Sequence, residues 1–213
     1  MGIIKQGILG GFSGKVANVV GTSWKGIAVV KSQPLSVANP RTAAQVAQRN
    51  KLSACVKTLQ PILSEVIKPL NDRFAGQMSG YNYALQKSIE AFDALGNLAA
   101  PENFKISRST AKAQLVDAIA AEAKITKYKV SWTSDAGEGY ALNTDKGYLV
   151  GINIDSGAVA YSTNFVRSAN QAFVEWADGE VLPDDQLAFY LAFLRSDGTV
   201  GFAQSFQLHN AVI

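Results

Sequence analysis

Apolar and β-branched residues first gather between Gly14 and Gln33, where Gly-Lys-Val-Ala-Asn-Val-Val-Gly-Thr-Ser-Trp-Lys-Gly-Ile-Ala-Val-Val-Lys-Ser-Gln reads as two strands around a glycine-marked turn. Val16, Val19 and Val20 supply the first strand and Ile27, Val29 and Val30 the second, before Pro34 stops the pattern. A lone hairpin is only marginally stable in water, so this one needs a neighbour. The texture then changes to a helical one. Pro40 and Thr42 mark a start, and Thr42 with Gln45 has the spacing of a capping box. Val46, Arg49, Leu52, Val56 and Leu59 follow at intervals of three and four, which places the apolar members on one face. Pro61 breaks or restarts the helix, and Ile62 to Ile67 gives a further turn or two before Pro69. A second helix is predicted from about Ser79 to Leu95, striped by Tyr81, Leu85, Ile89 and Phe92, and the two are expected to pack as a helical hairpin. Gly96, Asn97 and Pro101 end that unit. Residues 104–123 stay open between a strand at Phe104–Arg108 and an alanine-rich helix at Thr110–Ala123.

From Lys124 onward short β-rich runs recur with turn residues between them: Ile125–Thr133, Tyr148–Ile154, Val159–Val166, Phe173–Trp176, Leu187–Leu194 and Val200–Leu208. Runs at this spacing predict an antiparallel sandwich. Tyr128, Val130 and Trp132 alternate onto one face. Val181-Leu-Pro-Asp-Asp-Gln-Leu-Ala-Phe-Tyr190 reads as a tyrosine corner leading into a core strand, and Ser196-Asp-Gly-Thr199 as a hairpin turn. The expected fold class is therefore α+β in two parts. Residues 1–100 form a basic β-hairpin arm with a helical hairpin, 101–123 a connector, and 124–213 the β-sandwich.

Charge sharpens that division. The 213 residues carry a net charge of +3 and an apolar content of 47%, the range of an ordinary globular protein. Residues 1–64 hold eight Lys/Arg and no Asp/Glu, giving +8; 65–100 carry −1 and 101–213 carry −4. A basic front and acidic back point to a contact with nucleic acid or a head-to-tail contact between copies. The glycine-rich, basic first fifty residues have little with which to build a core of their own, and read as an arm that finishes its structure against something else. Lys15, Trp24, Lys25, Lys31, Arg41 and Arg49 are the candidate interface residues, with Trp24 as the anchor, since Trp and Arg are enriched at interface centres.

Candidate chemistry is sparse. The single Cys55, on the first predicted helix, reads as a small buried thiol, and it cannot form an internal disulfide. With His209 as the only histidine there is no Cys/His ligand set for zinc, and no nucleophile-elbow sequence to go with a Ser-His-Asp arrangement. The glycines at Gly7, Gly10 and Gly11 do not space a phosphate-binding loop onto Lys15. Acidic stretches at Asp135–Glu138, Asp178–Glu180 and Asp184-Asp185 lack EF-hand spacing and read as solvated loops. No apolar run approaches the ~18–20 residues that span a bilayer. Met1-Gly2 is not followed by a myristoylation pattern, since Gln6 stands where Ser or Thr is required. A soluble, non-enzymatic protein without cofactor or metal, made in the cytoplasm, is expected.

Two resemblances extend this reading. The Val130-Ser-Trp132-Thr133 phrase, the Leu182-Pro183…Tyr190 stretch and the short strands around them resemble the fibronectin type III and immunoglobulin-like superfamily, whose modules mostly serve adhesion, spacing and display. Gly14-Lys-Val-Ala-Asn-Val-Val-Gly-Thr-Ser-Trp24-Lys-Gly26, then Val30-Lys-Ser-Gln-Pro34, then Asn39-Pro-Arg-Thr42…Gln45…Gln48-Arg49, is similar to a family from phages and prophages of the Bacteroidetes counted among virion components. Its members join an N-terminal β and helical unit to an immunoglobulin-like module. This chain departs from them at Leu52, where relatives usually carry an aromatic residue after the Gln-Arg pair. The resemblance implies a structural protein of a tailed-phage virion, whether capsid-associated, neck or tail. Its implied partners are other copies of itself and other virion proteins; nucleic acid is secondary. A host-surface or carbohydrate-binding adhesin and a nonspecific DNA-contacting packaging protein are the alternatives.

Overall fold

The computed structural model describes residues 3–4, 11–33, 36, 39–107, 113–122, 125–137, 141–198 and 204–211. Its architecture is α+β, with antiparallel sheets and a few helices. Contacts divide the chain into two compact units, Met1–Thr42 and Ala43–Ile213. Among the described residues no helix is long and apolar enough to cross a membrane.

The first unit is a four-stranded antiparallel sheet in the order β1 (Ile3–Ile4), β2 (Phe12–Val16), β3 (Val19–Trp24), β4 (Ile27–Ser32). Two strands were expected in the stretch 14–33, and it contributes to three. Val16 and Val19 face each other across a two-residue turn rather than continuing one strand. Neither Gly nor Pro marks that turn; Ala17 takes the left-handed backbone itself, at φ 48°. The β3–β4 turn is the one the glycine announced. Lys25 (φ 46°) and Gly26 (φ 82°) both lie at positive φ, the requirement of a type I′ hairpin turn.

The second unit opens with α1 (Ala43–Leu59), followed after Pro61 by a π turn (Leu63–Ile67) in which the Ile67 amide reaches back to the Ile62 carbonyl at 3.0 Å. Then come α2 (Lys68–Asn71), a 3-10 turn (Asp72–Phe74) and α3 (Gly80–Ser88). Ser79 caps α3, its hydroxyl accepting from the Asn82 amide at 3.1 Å. The helix expected to reach Leu95 stops at Ser88, passes into a 3-10 turn over Ile89–Ala91 and turns extended at Phe92, after which Asp93 Oδ1 gathers the amides of Leu95, Gly96 and Asn97 into a turn. The expected stripe of α1 is also displaced. Its buried residues are Cys55, Thr58 and Leu59, while Val46 and Leu52 are exposed. Burial pushes the Cys55 thiol up to about 12, so thiolate at pH 8 is on the order of a thousandfold scarcer than at an ordinary cysteine. Alkylation of Cys55 in the native protein should therefore be slow and should track global unfolding when urea is titrated.

Two further sheets follow. One runs β5 (Ala118–Ala121), β6 (Lys127–Ser131), β9 (Gln171–Glu175); the other runs β11 (Ser205–Asn210), β10 (Gln186–Leu194), β7 (Lys146–Asn153), β8 (Val159–Val166). They pack on a shared core of Tyr128, Val130, Trp132, Leu149, Val174, Leu187, Phe189, Leu191 and Phe193. The open question at 104–123 resolves in part. Ala118–Ala121 is a strand, which ends the helical reading there. Phe104–Ser107 is not one, although Phe104 and Ile106 are fully buried. The Gln204 amide stands in for a pairing strand, accepting from the Ile106 amide at 2.6 Å and donating to the Phe104 carbonyl. Residues 108–112, 123–124 and 199–203, on which other expected elements fell, lie outside the described residues.

The grouping of the helices with the arm in one 1–100 domain, with 101–123 as a connector, does not hold. Cys55, Leu59, Ile62, Val66, Ile67 and Leu70 share one core with Tyr148, Val150 and Ile152 of β7 and with Ala188, Tyr190 and Ala192 of β10. Phe104 and Ile106 of the presumed connector sit in the same core. The physical reason is that β7 and β10 are apolar on both faces. One face meets the other sheet, and its opposite must be covered by the helices. Tyr190 belongs to that second face. The expected tyrosine corner would bond backbone a few residues upstream; instead the Tyr190 hydroxyl donates to the Pro101 carbonyl at 2.7 Å, fastening the 3-10 turn Pro101–Asn103 onto the sheet.

Candidate assembly interface

The register of the first unit decides which candidate residues can act together. Lys15 pairs with Val20 and Val20 with Lys31, a row across β2, β3 and β4, and Trp24 pairs with Ile27. Side chains alternate along a strand, so Lys15, Val20, Trp24, Ile27, Val29 and Lys31 share one face. Trp24 is 53% exposed, Ile27 44% and Val29 42%. Lys25 stands at the hairpin tip beside this face. The structure thus unites Lys15, Trp24, Lys25 and Lys31 on one small sheet, an apolar patch with a cationic margin and no carboxylate in residues 1–42. Arg41 lies in the segment just before α1. Arg49 belongs to the second unit, on α1 between the exposed Val46 and Leu52.

Sequence reasoning missed Ile27 and Val29 as surface residues, although the signal was present. With so few apolar residues nearby, no core was available to take them. The opposite face also leaves Val16 and Val30 exposed, but part of it is packed. A Cβ on Gly21 would collide with the Phe12 ring and carbonyl. Phe12 lies over the bare backbone of its neighbour strand, the aromatic-over-glycine packing that pins register. Gly21→Ala should overpack this contact at a cost of roughly 1–3 kcal/mol, read as loss of amide-exchange protection along β2 while β7 and β10 stay protected.

The other chemistry-bearing residues sit in structural roles. Asp135, expected as a solvated loop residue, is bonded at 2.6 Å to the buried Arg167. Asp185 accepts from Asn153 Nδ2 at 2.7 Å and from the Leu182 amide at 2.8 Å. Among the described residues no group of three or more His, Cys, Asp or Glu is placed to hold a metal ion. His209 lies in β11 opposite Leu187, its ring 5.6 Å from that of Tyr128. Burial holds its pKa below the ordinary value, so the unfolded chain takes up the proton first. Stability is then full above the unfolded pKa of about 6.5 and declines as pH falls through the folded one. Urea midpoints measured at pH 7.5 and pH 5 should show this loss, and His209→Phe should reduce it.

These observations define a class first: an α+β protein with a two-sheet, helix-covered body and a separate basic sheet. Residues 11–208 match the family of unknown function DUF6266, and the chain belongs to that family. No curated protein matches it. Among solved structures, an FN3 domain of human collagen XX is similar at a TM-score of 0.31 and 9% identity, covering 48% of this chain and 100% of that domain.

Proposed function

We propose that the protein is a non-catalytic structural subunit of a tailed-phage particle, a capsid-associated, neck or tail component that assembles in many copies through residues 1–42. The observation that carries this reading is β4. All six residues of Ile27–Ser32 are exposed, and the strand lies at the end of its sheet's order. Natural proteins blunt such edges with charge, proline, bulges or covering elements, because an open apolar edge templates pairing with another chain. Within β4 itself the charge of Lys31 is the one such device. Strand addition onto a neighbouring subunit satisfies the edge, and the Trp24 face buries its apolar surface in the same contact. The virion setting is supported by the resemblance of the Gly14–Gly26 and Asn39–Arg49 phrases to phage and prophage proteins.

In this reading the body is an immunoglobulin-like module with a helical cover. Its strand order supports that: β5-β6-β9 against β11-β10-β7-β8 corresponds to an A-B-E sheet facing G-F-C-C′. The row Lys15–Val20–Lys31 favours one rival, phosphate contact with DNA. Light scattering on the native chain at low and high salt, with and without duplex DNA, separates the two. An oligomer that persists at high salt is expected. A monomer throughout, binding duplex with steep salt dependence, would overturn the assembly reading, and so would absence of the chain from purified particles.

A further inference from the structure

A cleft of about 440 Å³ opens on the second unit between the π turn and α2 on one side and the ends of β7 and β10 on the other. Pro69, Tyr148 and Leu194 give it an apolar floor, and Tyr148 and Leu194 are buried. Around the floor stand four cations from four places in the chain: Lys68, Arg73, Lys146 and Arg195. Asp72 and Asp197 also line it and Glu65 acts on Tyr148 from nearby, so four positive and three negative groups leave a net positive charge of +1. Asp72 is engaged by the Gly80 amide at 2.7 Å. Burial, and secondarily Glu65 nearby, hold the Tyr148 hydroxyl protonated.

Two of the cations are fixed in place. Arg73 Nη1 donates to the Asp197 carbonyl at 2.6 Å and packs on Gly198, where a Cβ would lie 3.0 Å from Nη1. Lys146 Nζ stands 5.4 Å from the Tyr148 ring centroid. Among the described residues neither Lys68 nor Lys146 is in an ion pair. Four cations held around a low-dielectric floor repel one another, and an anion relieves that repulsion.

We propose that this cleft binds a phosphate monoester carried on a small organic body. The sign of the charge fits: such a group carries about −1.5 to −2 at neutral pH, against a cleft that is net positive. Arg73 takes phosphate oxygens through the guanidinium nitrogens other than the Nη1 that holds the Asp197 carbonyl, while Lys68 and Lys146 act as point charges and Arg195 adds to the positive rim. The Tyr148, Leu194 and Pro69 floor receives the organic part. A volume of 440 Å³ falls in the ~300–1,000 Å³ range of small-molecule sites. The site lies wholly in the 43–213 unit and does not depend on the arm.

Isothermal titration of the full chain at constant ionic strength tests this, with phenyl phosphate, phenol, inorganic phosphate and a single-stranded oligonucleotide as probes. Saturable binding of phenyl phosphate is expected, weaker binding of inorganic phosphate and none of phenol. The double variant Lys68→Gln/Lys146→Gln should bind phenyl phosphate about tenfold or more weakly, through loss of two charge-assisted contacts. Both lysines are exposed, so its unliganded melting temperature should stay at the native value; Lys87→Gln/Lys105→Gln, outside the cleft, should bind normally. Failure of phenyl phosphate to saturate by about 10 mM, a Kd corresponding to negligible affinity, overturns the proposal. So does equal binding by the cleft variant. Tighter binding of the oligonucleotide, lost in that variant, also overturns it and makes the cleft a nucleic-acid groove.

Discussion

Replacing Arg167 by alanine should destabilise the 43–213 unit by roughly 3–5 kcal/mol, the cost of stranding a buried charge. Arg167 and Asp145 are both fully inaccessible, joined Nε to Oδ2 at 3.2 Å. The guanidinium also donates to Gln114 Oε1 at 2.9 Å and to Asp135 Oδ1, and it lies 4.2 Å from the Phe193 ring centroid. Its backbone carbonyl accepts from Trp132 Nε1 at 2.9 Å. One residue therefore ties the segment before β5, the loop after β6, the loop before β7 and the end of β8. Its removal leaves the Asp145 carboxylate in the interior with, among the described residues, the Leu142 amide at 2.9 Å on Oδ2. For a unit of this size each kcal/mol moves the midpoint by about 2–4 °C, so thermal melting should fall by roughly 10 °C. Arg167→Lys keeps the charge but loses the fork, and should recover only part of that loss. A melting temperature unchanged in Arg167→Ala would show that the network contributes nothing net.

Trp24→Ala should weaken self-association by about 2–4 kcal/mol, or roughly 30- to 1,000-fold, the range for a central aromatic anchor. Because Trp24 is already 53% exposed, the melting transition of the body should not move. Sedimentation of the native chain and the variant over a concentration series reads both effects. Reversal of the Lys15 and Lys31 charges should act less strongly and mainly through salt dependence, since exposed pairs are worth at most about 1 kcal/mol each. Association as tight in Trp24→Ala as in the native chain would remove the arm face from the interface.

How far the fold could be read in advance depended on whether each signal was local. The strands β7 to β10 were legible because short β-rich runs and the turn residues that bound them lie within a few positions of one another. The helical cover of the sheet was present in the same letters and went unread. Leu187-Ala-Phe-Tyr-Leu-Ala-Phe-Leu194 has no polar residue to face water on either side. A strand of that kind needs two apolar neighbours, and the adjacent helices are the ones available. Arg167 and Asp135 gave no such signal. Each is an ordinary loop charge in sequence, and only their convergence in space makes them a buried pair. The Lys68, Arg73, Lys146, Arg195 cleft is of the same kind, since its members come from four separate elements.

By itself, then, the sequence determined most strands of the body, the buried state of Cys55 and the concentration of positive charge at the front, because each follows from near neighbours along the chain. Tertiary structure decided that the helices belong to the sheet they cover. It decided too that Lys15, Trp24 and Lys31 share a face, and that β4 is left as an open edge. Those depend on strand register and on which surface finds a partner, which are properties of contacts between positions far apart or opposite one another, not of any stretch read alone.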